Sequence, residues 1–349
     1  MHMEVRPQEQ HLIDRVAELP PGRVLCTTAG RGQLATALAT RPDNDVTCWL
    51  LDLYQAQQAQ RELGRLPPNL HFVCEPDPPA GEYAAAALCF SHKGDTELTR
   101  ETLQAAHERL AIGGHFAAAI DNPRDQCLHE QLRAMFDKVT RLPQRDAVVY
   151  LATKSRPLKK HKDYACELAF RDGERLVQLR TRPGIFSHRE VDGGARALVK
   201  TMHIGPMVVL DLGCGSGAVG IAAALRDENV RVHAIDSNPR AIEAVRWAAK
   251  RNDLGNRVMA LLDCDGQCIM PGVHDLVLAN PPYFSNFRIA GLFLTIARRA
   301  LRRGGQLLVV TKSPEWFIEN LAGPFGDIED RVVGQYHVVQ ATKPLAAVR

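Results

Sequence analysis

The chain has 349 residues, 45% of them hydrophobic and 24% charged, with a formal net charge of +3. That is long enough for two domains with separate cores, too apolar for a disordered chain, and too weakly charged for bulk charge alone to indicate a polyanion partner. No apolar run approaches the length of a membrane span, and the opening "MHMEVRPQEQHLIDR" has no signal-peptide core, so no membrane association is expected. The nine cysteines are scattered with no CxxC pair, and they read as reduced core residues of a cytoplasmic protein without a metal site.

In chain order, the first half alternates strand-like and helix-like stretches: "GRVLCTTAGRGQLATAL" (22–38), "VTCWLLD" ending at Asp52, "YAAAALCFS" (83–91) and "HERLAIGGHFAAAID" (107–121). A basic linker follows at 156–181, with two strand-like pieces, "YACELAF" and "RLVQLRT", that make a β-hairpin around "RDGE". Positive charge is concentrated in "KSRPLKKHK" (154–162) and again in "RRALRR" (298–303), which read either as solvated surface or as phosphate contacts.

The second half gives strands at "MVVLDLG" (207–213), "RVHAID" (231–236), "RVMALLD" (257–263), "DLVLAN" (275–280), "GQLLVVTK" (305–312) and "YHVVQATK" (336–343). Helical patterns lie between them. In "PRAIEAVRWAAKRN", Ile242, Val245 and Ala249 share one face, and Pro239 sits in the first turn, where a missing N–H costs little. Strands alternating with helices imply an α/β fold with mostly parallel sheets. The two halves also match each other. Cys26 and Asp52 are 26 residues apart and Asp211 and Asp236 are 25 apart, and the stretches around them correspond, as internal duplication requires. They differ where chemistry would sit: Cys26 and Ala29 stand against Asp211 and Cys214, and "FSHK" (90–93) against "NPPY" (280–283). The first copy keeps the scaffold and lacks the site.

"DLGCGSG" (211–217) leaves a strand and opens a helix, and Gly213, Gly215 and Gly217 let the backbone turn and approach a ligand. The spacing is not the G-x-G-x-x-G pyrophosphate fingerprint, and Asp211 would repel a phosphate but suits an amine. Asp236, at the next strand end, can accept from both ribose hydroxyls. Asp265 or its neighbour Asp263 can accept from an adenine amine. These residues describe an adenosine ligand with a cationic end and no phosphates, for which S-adenosylmethionine is the fit.

"VVLDLGCGSG", "AIDSNPRAIEAVRWAAKRN" and "DLVLANPPY" resemble the motifs of class I S-adenosylmethionine-dependent methyltransferases of the N-methylating branch. "RPGIFSHREVDGGARALVKTM" (182–202) is similar to the stretch before the glycine loop in ribosomal RNA guanine-N2 methyltransferases, the small-subunit type C and its large-subunit relative. Those enzymes also carry a degenerate first domain. The resemblance therefore implies two tandem Rossmann-like domains with seven-stranded, mostly parallel sheets: a degenerate domain at 1–155 that recognises RNA, and a catalytic domain at 182–349. It implies cofactor contacts at Asp211, Gly213, Gly215, Gly217, Asp236, Asp265 and Asn280, and a catalytic tetrad of Asn280, Pro281, Pro282 and Tyr283. Where those ribosomal enzymes have phenylalanine and then histidine after the prolines, this chain has Tyr283 and Phe284.

An exocyclic amine is a poor nucleophile because its lone pair is delocalised. Asn280's oxygen and the Pro281 carbonyl can accept its two N–H bonds as the nitrogen becomes tetrahedral, the prolines hold these acceptors in place, and Tyr283 offers a stacking face. No strong base is required, so His274 and His337 read as structural or surface groups, while Phe284 and Phe287 serve either stacking or packing. The expected reaction is methylation of a guanosine N2 amine in ribosomal RNA or a ribosomal subunit, by a monomer. The alternatives are N5-glutamine methylation of a release factor, N6-adenine methylation of nucleic acid, and a non-catalytic RNA-binding assembly factor.

Overall fold

The structure is a computed structural model describing residues 5–282 and 287–345. The chain divides into two compact units, at Tyr164/Ala165. The first contains, in order, α1 (Pro7–Ile13), β1 (Gly22–Cys26), α2 (Gln33–Ala39), β2 (Asn44–Leu50), α3 (Leu53–Leu63), β3 (Leu70–Cys74), β4 (Tyr83–Phe90), α4 (Thr96–Arg109), β5 (Leu110–Ile120), α5 (Cys127–Met135), β6 (Val139–Pro143) and β7 (Val148–Thr153). The second begins with a hairpin of β8 (Cys166–Asp172) and β9 (Arg175–Thr181), then α6 (Gly193–Thr201), β10 (Val208–Leu212), α7 (Ala218–Arg226), β11 (Arg231–Asp236), α8 (Pro239–Arg251) and β12 (Val258–Leu262). It ends with β13 (His274–Ala279), α9 (Arg288–Ala300), β14 (Leu301–Thr311), α10 (Pro314–Leu321), β15 (Gly326–Val333) and β16 (Tyr336–Thr342).

Each unit is built on one seven-stranded sheet, ordered β3-β2-β1-β4-β5-β7-β6 in the first and β12-β11-β10-β13-β14-β16-β15 in the second. The two orders are the same pattern repeated, the duplication expected from the sequence. In the second sheet β10 through β14 pair in parallel, and β16 runs antiparallel to both β14 and β15. The central strands are apolar on both sides because helices cover both faces. Val209 of β10 belongs to one buried cluster, while Leu210 and Leu212 belong to the cluster on the opposite face. In the first unit Val24 and Cys26 separate from Leu25 in the same way.

Two readings change. The hairpin read as a linker packs into the second unit, because Val177 and Leu179 of β9 are fully buried in its core. Of the cysteines, Cys26, Cys48 and Cys214 are buried, but Cys127 and Cys268 are exposed rather than core residues. Among the described residues, no helix is long and apolar enough to cross a membrane.

Candidate active site

The candidate site is built at the carboxyl ends of β10, β11, β12 and β13, where an open α/β sheet binds its ligand. The glycine turn follows β10. Gly213, Gly215 and Gly217 have φ of +71°, +51° and +81°, a region in which a Cβ is strained. Two of them also face close neighbours: a Cβ at Gly213 would lie 2.8 Å from the Phe293 ring, and one at Gly217 would lie 2.9 Å from Val245 Cγ2. At Gly215 a Cβ would meet nothing within 4 Å, so the tip of the turn faces open space.

Asp211 is buried, and its Oδ2 accepts the Gly220 N–H at 2.8 Å. Burial pushes its pKa up to about 7, with the Asp236 charge adding to the rise and the Gly220 bond opposing it. Gly220 was not singled out from sequence. It is required because a Cβ there would stand 2.8 Å from Asp211 Oδ2. Asp236 ties the turn down: its Oδ2 accepts from Gly215 N at 2.9 Å and its Oδ1 from Asn238 N at 2.8 Å. A carboxylate has about four acceptor positions, so these bonds are compatible with ribose hydroxyls on the same oxygens.

The two candidates after β12 separate clearly. Asp263 is buried and its oxygens accept three backbone N–H bonds, from Asp265, Gly266 and Cys268, at 3.0, 2.7 and 2.8 Å. That carboxylate shapes the loop. Asp265 is half-buried, and its carboxylate accepts from Gln267 N at 3.4 Å and the Gln267 amide at 3.3 Å.

Asn280 and Pro281 follow β13 directly, and Pro282 completes the described part of the corner. Tyr283 and Phe284 lie outside the described residues. Asn280 donates from Nδ2 to Asp192 Oδ2 at 2.8 Å, a partner from the 182–202 stretch whose local sequence carries no sign of this bond. Asp192 also caps α6, accepting the Ala195 N–H at 3.0 Å. The segment before it is docked onto α8, because Asn238 Nδ2 donates to the Gly184 carbonyl at 2.7 Å and the buried Arg240 guanidinium donates to the Pro183 carbonyl at 2.6 Å. Phe287 stacks on Trp316 of α10, with centroids 4.7 Å apart and planes 9° off parallel.

The two histidines lie elsewhere. His274 opens β13, at the opposite end from Asn280; it is buried, paired with His233 Nδ1 at 2.9 Å, and burial lowers its pKa to about 4. His337 pairs with Asp330 at 2.8 Å. The basic clusters are partly used up. Lys154 is buried against the Leu110 carbonyl at 2.6 Å, Arg156 pairs with Asp137 at 2.6 Å, and Arg302 pairs with Asp275. Lys159, Lys160 and Lys162 remain exposed.

At the ends of β10, β11 and β13 the fold thus gathers a glycine turn over a buried carboxyl, an acid that braces the turn, and an asparagine–proline corner. The second unit is a class I S-adenosylmethionine-dependent methyltransferase domain. The family model "Methyltransferase small domain" matches residues 176–340. The ribosomal RNA large subunit methyltransferase G of Ectopseudomonas mendocina is 30% identical over 259 residues, covering 70% of this chain and 68% of that one. The ribosomal RNA small subunit methyltransferase C of the same organism is 30% identical over 282 residues, covering 74% and 77%. The type C enzyme of Pseudomonas entomophila is 30% identical over 183 residues, so the match spans about half of that relative, 54%. The chain belongs to this family of ribosomal RNA methyltransferases. Its fold matches that of the T. thermophilus 16S rRNA N2 methyltransferase, solved in complex with S-adenosylmethionine and guanosine, with a TM-score of 0.83 over 97% of this chain and 92% of that one, at 21% identity.

Proposed function

We propose that this protein methylates the exocyclic N2 amine of a guanosine in ribosomal RNA, acting as a cytoplasmic monomer on the RNA or on a partly assembled ribosomal subunit. The observation that carries this reading is Asn280, fixed at the end of β13 with its amide nitrogen bonded to Asp192. The open tip at Gly215 fits the donor, which supplies an electrophilic methyl group when bound. Asp236 would hold its ribose, Asp265 its adenine amine, and Asp211 with Gly213, Gly215 and Gly217 its amino-acid end.

The chain's own contribution is positional. Asn280 Oδ1 and the Pro281 carbonyl accept the two N–H bonds of the target amine, so its lone pair is freed and aimed as positive charge develops on nitrogen. Pro281 and Pro282 fix the backbone of these acceptors before reaction. Tyr283 would stack the planar base. The amine proton leaves to water, so no histidine takes part. The exposed Lys159, Lys160 and Lys162 of the first unit support a role for that unit in holding the RNA backbone. That unit is a seven-stranded α/β body, unlike the small helical bundle of release-factor glutamine methyltransferases, which weighs against a glutamine substrate.

Mass spectrometry of nucleosides from the rRNA of a strain lacking this protein, compared with its parent, tests the proposal. Loss of N2-methylguanosine, restored by the wild-type gene and not by Asn280→Ala, is the expected result. An unchanged N2-methylguanosine level, or loss of N6-methyladenosine instead, overturns it.

A further inference from the structure

The geometry points to Asp192 as the positioning residue that decides which end of the Asn280 amide faces the substrate. This rests on the amine-acceptor reading above. An asparagine amide has two ends of nearly equal size and opposite chemistry: Oδ1 accepts and Nδ2 donates. Only one orientation serves the reaction. With Oδ1 toward the target, the amide accepts an amine N–H; turned over, it sets a donor against a donor. Nothing in the Asn280 side chain itself chooses between them.

Asp192 makes the choice. A carboxylate offers acceptors only, so the group it bonds must be the Asn280 NH2, as found: Nδ2 lies 2.8 Å from Asp192 Oδ2. The same oxygen is held by the Ala195 N–H at 3.0 Å, at the first turn of α6, so the carboxylate is itself fixed. Oδ1 is thereby left to face the substrate. The two glycines that follow Asp192 make the approach feasible. A Cβ at Gly194 would lie 2.8 Å from Asp192 Oδ2, 2.9 Å from Asn280 Oδ1 and 3.2 Å from Asn280 Nδ2, so the amide rests against a bare Cα. A Cβ at Gly193 would lie 2.7 Å from the Tyr336 ring. The "DGG" triplet is thus one device: an orienting acid, a glycine that lets the helix start pass the Tyr336 ring, and a glycine against which the catalytic amide lies.

A capping role alone would explain the Ala195 bond but not the Asn280 bond, and Asp192→Ser separates the two. Both bonds use one carboxylate oxygen, which asparagine could supply as well; serine caps helices about as well as aspartate, but its hydroxyl lies one bond nearer the backbone and is not an acceptor-only group. Asp192→Ser is expected to keep the melting temperature and hold S-adenosylmethionine affinity within about twofold, while kcat falls about tenfold or more at unchanged KM for RNA. Gly194→Ala sets a Cβ against Asp192 Oδ2 and Asn280 Oδ1 and is expected to lose activity to a similar degree. The direct readout is the Asn280 side-chain NH2 signal in protein labelled with 15N-asparagine. One proton held downfield in wild type and averaged in Asp192→Ser supports the assignment. An Asn280 signal unchanged by Asp192→Ser overturns it whatever the activity does, and so does wild-type kcat in that variant. If the wild-type protein labels no ribosomal RNA, the guanosine reading fails, and the Asn280 signal alone then decides the role of Asp192.

Discussion

Asp211 is a carboxyl placed where it is costly to ionise. Burial lifts its pKa from an ordinary 3.8 to about 7, and the nearby Asp236 charge pushes the same way. Below about pH 7 the protonated form is favoured, so its contribution to stability is fully present below the unfolded value and is lost as pH rises through about 7. On the proposal that the donor's cationic amine binds beside it, the ionised form is the one that pairs, and binding displaces a proton in the same window. S-adenosylmethionine is therefore expected to bind about tenfold more weakly at pH 6 than at pH 8, with Asp211→Asn removing most of that dependence, as calorimetry across this range would read. A flat affinity profile in the wild type would mean that Asp211 serves only Gly220. The neighbouring pair shows what sequence order could not resolve. Asp263 and Asp265 are the same residue type within three residues of the strand end, and only the fold reveals that Asp263 turns inward to three backbone N–H groups. Asp192 escaped notice for a related reason: its partner Asn280 lies 88 residues away, and a bond across that distance leaves no local pattern.

At the scale of elements, the glycine turns of the two units contrast. In the first unit α1 delivers the fully buried Glu9 into the turn, where it accepts from Thr28 Oγ1 at 2.7 Å, Ala29 N at 3.2 Å and Leu34 N at 3.1 Å. Glu9→Ala leaves these donors without their acceptor and is expected to cost about 1–3 kcal/mol in urea denaturation of the full chain, with Glu9→Gln milder because it keeps one acceptor oxygen. Strand positions were largely legible because buried parallel strands are continuous apolar runs: "RVHAID" coincides with β11, and β10, β12, β13 and β16 fall within a residue or two of their expected limits. β15 was not found. Its sequence, "GDIEDRVV", is half charged and its residues are mostly exposed, since it is an edge strand with little apolar surface to bury. The β8–β9 hairpin was found as strands but misplaced as a linker, because alternation shows that one face is buried and not what buries it.

At the scale of the whole molecule, one topology occurs twice and the two copies differ where a cofactor would lie. At the tip of the second unit's turn, a Cβ on Gly215 would meet nothing within 4 Å; at the corresponding Gly30 it would meet Gln33 Oε1 at 2.6 Å and Glu9 Oε2 at 3.1 Å. The acid beneath the second turn, Asp211, is Cys26 in the first. Asp236 bonds its own glycine turn, whereas Asp52 caps α3 through the Tyr54 N–H at 2.9 Å. The end of β4 carries no amide corner either: Ser91 and His92 are both tied to Asp121. The first copy thus lacks the acid and the corner, and its own glutamate fills its turn. Calorimetry of the full chain should therefore show saturable binding of S-adenosylmethionine at one equivalent per chain. Asp236→Ala should abolish that heat altogether, leaving no weaker second phase. Glu9→Ala, although it empties the first turn, should not create a second site, because Cys26 offers no charge to a cationic ligand. A second equivalent in the wild type, or one gained in Glu9→Ala, would show that the first unit holds the donor as well.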